Sequence, residues 1–164
     1  MEKKCCAFLI VIIAWSVGVI NSKVAVVGID FGTARTGYGY GFSTHPNDVE
    51  VVPWIGTGAD WKTFTNILLD SSNAFVAFGY EARNKYIQMG RDEASQHKFF
   101  EMYKMLLYTK PGSERTALAT SAGGTAPVVD IISLTLKHVS DSAVDQLNRA
   151  TLTQYTKNQV CSLQ

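Results

Sequence analysis

The stretch Val24–Phe42 limits what this chain can fold into more than any other. Val24–Asp30 is an apolar run rich in β-branched residues, the composition of a strand buried on both faces. Gly32-Thr33-Ala34-Arg35-Thr36-Gly37 then supplies a turn. Beyond it Tyr38, Tyr40 and Phe42 alternate with Gly39, Gly41 and Ser43, the period of a second strand. Two such strands around a glycine-bearing turn predict a β-hairpin.

The pattern after the hairpin continues in short β-type runs. His45–Asp48 reads as a turn cluster, Val49–Trp54 as a third strand closed by Pro53, and Gly56–Lys62 as a loop. Thr65–Asp70 and Ala74–Gly79 read as two further strands, joined by the turn signal Asp70-Ser71-Ser72-Asn73. Tyr80–Met89 predicts a helix stopped by Gly90. Asp92–Leu107 predicts another, with Asp92 as N-cap and Phe99, Tyr103, Leu106 and Leu107 on one face. In that arrangement Phe99, Phe100 and Tyr103 are core residues and Lys104 is solvated. Lys110–Gly124 is a turn-rich connection. Thr125 then reads as the cap of a long helix with Pro127 near its first turn and Val128, Ile131, Ile132, Thr135 and Val139 along one side. The predicted fold is α/β: a mixed five-stranded sheet that opens with the hairpin, followed by helices, over residues 23–148. The polar, unpatterned tail at residues 149–164 is expected to fray.

Residues 1–22 stand apart. A short, net-positive start (Met1-Glu2-Lys3-Lys4) leads into an apolar run from Cys5 to Ile20, the layout of a secretory signal peptide, although a clean Ala-x-Ala cleavage pattern is missing. The run falls short of the roughly 20 residues a spanning helix needs, so no permanent membrane span is expected. A buried strand or helix that extends the domain is the structural alternative. Export and a cytoplasmic location both stay open.

A net charge of +1 gives no electrostatic reason to expect a nucleic-acid partner. Cys5, Cys6 and Cys161 have no metal-ligand spacing, and His45, His97 and His138 are far apart in sequence. None of these residues implies a metal site.

The residues that carry chemistry lie in Gly28-Ile29-Asp30-Phe31-Gly32-Thr33-Ala34-Arg35-Thr36-Gly37-Tyr38. An acidic residue at the end of a buried strand, followed by a Gly-Thr turn, suits a metal–phosphate site. Asp30 would face a divalent cation through its water shell, because magnesium gives up water reluctantly. Gly32 and Gly37 let the backbone come close to an anion, turn N–H groups can cradle phosphate oxygens, and Thr33 adds a hydroxyl. Neither Gly-x-Gly-x-x-Gly nor Gly-x4-Gly-Lys-Ser/Thr occurs. On spacing alone, a purely structural hairpin fits as well as a phosphate site.

Val27-Gly28-Ile29-Asp30-Phe31-Gly32-Thr33 resembles the first phosphate motif of the actin, hexokinase and heat-shock ATPase superfamily. With Gly37-Tyr38-Gly39-Tyr40, it resembles the divergent heat shock 70 kDa protein 12 branch in particular. Further matches in order are Trp61-Lys62-Thr63-Phe64-Thr65, Ile67-Leu68-Leu69, Phe78-Gly79-Tyr80-Glu81-Ala82-Arg83, and Phe99 through Met105. The resemblance implies the first part of an actin-like ATPase lobe (ribonuclease H-like), with ATP and magnesium as cofactors. It implies that Asp30 helps hold the magnesium shell, that Gly32, Thr33 and the Ala34 backbone contact nucleotide phosphates, and that Arg83 stands where typical members place a lysine that assists hydrolysis.

Three departures bear on this. Ala34 replaces a second threonine, Arg83 replaces that lysine, and Phe64 replaces a proline. Arginine keeps the charge but is not interchangeable with lysine at a tight catalytic position. Gly123-Gly124-Thr125 lacks the acidic residue of the family's second phosphate loop and reads as a loop entering the long helix. The resemblance places that second loop and the second lobe beyond Gln164, so a nucleotide-binding half-lobe that does not hydrolyse ATP alone is expected. The alternative is a secreted, non-enzymatic interaction protein that keeps only the scaffold and binds a protein partner.

Overall fold

The computed structural model describes residues 10–13, 25–54, 60–108, 116–119, 124–152, 155 and 160–161. The predicted hairpin is present. Ala25–Phe31 (β2) pairs antiparallel with Arg35–Phe42 (β3) in continuous register from Ala25 opposite Phe42 to Phe31 opposite Thr36. Along β2, Ala25, Val27, Ile29 and Phe31 are buried and Val26, Gly28 and Asp30 are half-buried. That period of two puts one face on the core and leaves Asp30 on the other.

This hairpin is the centre of a six-stranded mixed sheet. Ile10–Ile13 (β1) pairs antiparallel with β2, Ile10 opposite Asp30. His45–Val51 (β4) and Lys62–Phe64 (β5) share the other edge of the hairpin, both antiparallel to β3. The residues predicted as a turn, His45–Asp48, are therefore strand; the turn itself is Ser43-Thr44, between Phe42 and His45. The end of the predicted loop Gly56–Lys62 likewise begins β5. Of the signal-like segment, only Ile10–Ile13 lies among the described residues, and there it is a strand of this sheet.

A second, three-stranded sheet is built by Asn66–Asp70 (β6) between Phe75–Phe78 (β7) and His97–Glu101 (β8), all antiparallel. The predicted single five-stranded sheet is thus divided in two. Asp70 closes the β6–β7 turn: its Oδ1 accepts from the N–H groups of Ser72 and Ala74 and from the Ser72 hydroxyl. β6 is buried along Asn66–Leu69 because both of its faces are covered. Ile67 and Leu69 join the main core with Phe78 and Phe100, while Leu68 joins Ala77, Ala82 and Phe99 on the opposite side. Gly79–Gln88 (α1) closes that second cluster, with Tyr86 stacked on Phe99 at 4.7 Å.

The helix predicted over Asp92–Leu107 does not form as one element. Arg91–Ala94 (α2) is a single turn, β8 follows, and Tyr103–Tyr108 is a 3-10 helix entered through Met102 at φ 51°. Pairing of Phe99 and Phe100 with Leu68 and Ile67 satisfies backbone and side chains together, and this outweighs local helical periodicity.

Thr125–Pro127 (β10) pairs with Thr116–Leu118 (β9), so Thr125 is a strand residue and not a helix cap. The long helix Val128–Thr151 (α3) starts directly after Pro127 and packs Val128, Ile131, Thr135, Val139, Ala143 and Leu147 against the hairpin sheet. It ends at Leu152 in the left-handed region. The tail is not simply frayed. Asn148 holds Tyr155 through both its N–H and its carbonyl, and Val160–Cys161 (β11) pairs parallel with Ala25–Val26.

Candidate functional site

The turn of the hairpin is closed by a hydrogen bond from the Gly32 N–H to the Arg35 carbonyl, 3.1 Å. A Cβ at residue 32 would lie 2.3 Å from that carbonyl oxygen, so the turn requires glycine. Gly32 is therefore structural: its amide is spent inside the turn. Thr65 anchors the turn from below. Its hydroxyl bonds the Gly32 carbonyl at 2.8 Å and the Thr36 hydroxyl at 2.8 Å, and its N–H reaches the Ala34 carbonyl at 2.9 Å. Thr65 and Thr36 are fully buried. Among the described residues the Thr33 and Ala34 amides donate no hydrogen bond, and Thr33 is half-buried while Ala34 is exposed.

Asp30, Gly37 and Lys62 form a row across β2, β3 and β5: Asp30 is opposite Gly37, and Gly37 is opposite Lys62. The Lys62 stem crosses over Gly37, and its ammonium reaches Asp30 Oδ2 at 2.5 Å. A Cβ on residue 37 would be 2.9 Å from Lys62 Cγ and 2.8 Å from the Trp61 carbonyl. Glycine at 37 is what lets the lysine through.

A second ammonium approaches from the core. Lys104 is 3% exposed, donates to the Phe31 carbonyl, and lies 5.2 Å from the centroid of the Phe31 ring. Burial lowers its pKa, and the charge of Asp30 opposes that shift. The expectation of a solvated Lys104 is thus corrected. The strand and 3-10 helix that replace the predicted helix turn residue 104 inward, beside Tyr103, whose hydroxyl meets the Thr135 hydroxyl at 2.6 Å.

Arg83 lies on exposed α1 surface and stacks over Phe64, its guanidinium carbon 4.8 Å from the ring centroid. Arg35 lies over the same ring at 5.2 Å and pairs with Asp60 at 3.7 Å. Since Phe64 is opposite Arg35, Arg83 sits beside the hairpin turn. The structure therefore brings Asp30, Gly32, Thr33, Ala34 and Arg83 to one end of the hairpin. Sequence reading gave no role to Lys62, although it lies within a matched segment. Its role depends on the register of β5 against β3, for which the sequence carries no local signal.

The residues present do not fit magnesium bound on Asp30. Among the described residues no group of three or more His, Cys, Asp or Glu gathers. Asp30 already holds the Lys62 ammonium where a hydrated cation would sit, with Lys104 in electrostatic reach, and Asp60, a second carboxylate near the turn, is paired with Arg35. A cationic surround of this kind attracts an anion and repels a divalent cation.

The fold and the turn define an α/β protein with a glycine-closed β-hairpin whose turn is edged by cations, an arrangement compatible with an actin-like ATPase lobe. Comparison with known proteins narrows the class. The chain is 32% identical over 133 residues to human heat shock 70 kDa protein 12A, 33% identical over 130 residues to the mouse protein of that name, and 32% identical over 127 residues to human heat shock 70 kDa protein 12B. These matches cover 74–78% of this chain and make it a homologue of the heat shock 70 kDa protein 12 proteins over that stretch. They cover 18–20% of the relatives' own length, so the chain spans about a fifth of them. No protein-family profile matches the chain, and no solved structure does.

Proposed function

We propose that this chain binds the phosphate groups of a nucleotide at the turn Gly32–Arg35, ATP being the nucleotide its homology implies, as part of an actin-like ATPase lobe. One observation carries the reading: the Thr33 and Ala34 amides, which donate no hydrogen bond among the described residues, lie in a turn beside which β5 carries Lys62 and, over Phe64, Arg83. Backbone N–H groups in a tight turn supply directional donors to phosphate oxygens, and the flanking cations supply the charge. Asp30 contributes by holding Lys62 in place. Hydrolysis is no part of the proposal, since phosphoryl transfer needs preorganised groups on both sides of the phosphates and this reading supplies one side.

Millimolar ATP should raise the melting temperature. A ligand at about ten times its Kd stabilises by roughly 1.4 kcal/mol, a shift of a few degrees for a chain of this size. An unchanged midpoint at 10 mM ATP would contradict the reading.

The alternative, a non-enzymatic interaction protein, is favoured by the face of the hairpin sheet turned away from α3. Val49, Val51 and Trp61 are 65%, 49% and 54% exposed there, and the first two lie on a strand exposed throughout. They border a trough of about 600 Å³ over the glycines of β3. In that reading ATP has no effect and the trough receives a protein partner.

A further inference from the structure

We infer that the nucleotide phosphates are bound without a divalent cation, the Lys62 ammonium standing where magnesium would otherwise mediate between Asp30 and the phosphates. The inference rests on the nucleotide reading above and concerns how that site is charged.

Three observations carry it. First, the Lys62–Asp30 contact is built into the sheet. Adjacent strands are about 4.8 Å apart, so Lys62 and Asp30 lie about 10 Å apart across β3, a gap a lysine stem and an aspartate can close only if the residue between them is small. The residue between them is Gly37, whose Cβ would collide with the Lys62 stem. Second, Lys62 is 42% exposed and Asp30 33% exposed, so the ammonium keeps access to solvent and has N–H donors beyond the one given to Asp30. Third, Lys104 adds a buried ammonium at the Phe31 carbonyl, the next residue along β2. One carboxylate against two ammonium groups leaves the end of β2 net positive. A divalent cation would have to displace Lys62 and face Lys104; a phosphate faces neither cost.

The sign of the metal effect follows. Magnesium on the nucleotide cancels part of its negative charge, so at a site that supplies its own cations the metal weakens attraction or leaves it unchanged. The test is calorimetric titration of ATP into the full chain, in EDTA and in excess magnesium. The wild type should bind in EDTA at least as tightly as with magnesium. Lys62→Met should weaken binding in EDTA about tenfold or more, and magnesium should recover part of the loss because Asp30 is then free. Lys62→Arg, which keeps the charge, should bind in EDTA within a few-fold of wild type. Wild-type binding that is tenfold tighter with magnesium than in EDTA overturns the inference and leaves the nucleotide reading standing. So does Lys62→Met binding in EDTA as the wild type does. Absence of wild-type binding under both conditions removes the nucleotide reading and this inference with it.

Discussion

Tyr38 lies against the hairpin core with its ring 5.2 Å from that of Trp54, edge to face, and only 4% of its surface is exposed. Burial pushes its hydroxyl from the ordinary 10.0 up to about 12, with Asp145 adding to the shift and Arg149 opposing it. Burial pushes Tyr40 up to about 12 as well, helped by Glu50. In the unfolded chain these groups ionise near 10. Between pH 10 and 12 the unfolded state has therefore lost protons that the folded state retains, so stability is complete below pH 10 and falls as pH rises through that window. Tyr38→Phe should reduce the alkaline loss by an amount on the order of 2 kcal/mol at pH 12. Urea denaturation at pH 8 and pH 11.5 measures it; equal alkaline loss in wild type and variant would contradict the burial argument. At the same scale, the residue pattern singled out Asp30, Gly32 and Thr33, the resemblance added Ala34 and Arg83, and the fold sets all five at one end of the hairpin, with the Gly32 amide spent inside the turn. Lys62 and Lys104 were not legible as members, because the first acts across two strands and the second depends on a backbone path that periodicity misassigned.

Among the elements, the start of α1 shows how closely the two sheets are fitted together. Gly79 has φ +67°, and a Cβ there would lie 2.1 Å from the Thr63 hydroxyl oxygen, which accepts the Tyr80 N–H at 2.8 Å. Thr63 is fully buried on β5, so this contact ties α1 to the strand that carries Lys62. Gly79→Ala meets both a left-handed backbone, about 1–2 kcal/mol, and the clash with Thr63, and should destabilise by roughly 2–4 kcal/mol. Thermal unfolding checks it; a loss below about 0.5 kcal/mol would show that the junction is loose. The hairpin, β6, β7, α1 and α3 could be read from the sequence because local pattern and tertiary burial agree there. Residues 92–107 could not. Phe99 and Tyr103 have helical spacing, yet Phe99 and Phe100 face opposite sides of a covered sheet, and only a strand can present neighbouring residues that way. The strand at Ile10–Ile13 stood only as the alternative to an export signal, because an apolar run after a charged start suits the signal and a strand alike.

For the whole molecule, α3 covers one face of the hairpin sheet, and the other carries Asp30, Lys62 and the trough. Among the described residues no helix is long and apolar enough to cross a membrane. The account's central claim is that phosphates meet the hairpin turn, and the most direct test follows backbone amides. With the full chain labelled by ¹⁵N, inorganic triphosphate is titrated in and amide shifts are recorded. The Thr33 and Ala34 amides should move furthest and saturate along one binding curve, with Asp30 and Lys62 following. Shifts confined to other parts of the chain, or no saturable change at Thr33 and Ala34 up to 10 mM triphosphate, would contradict the claim.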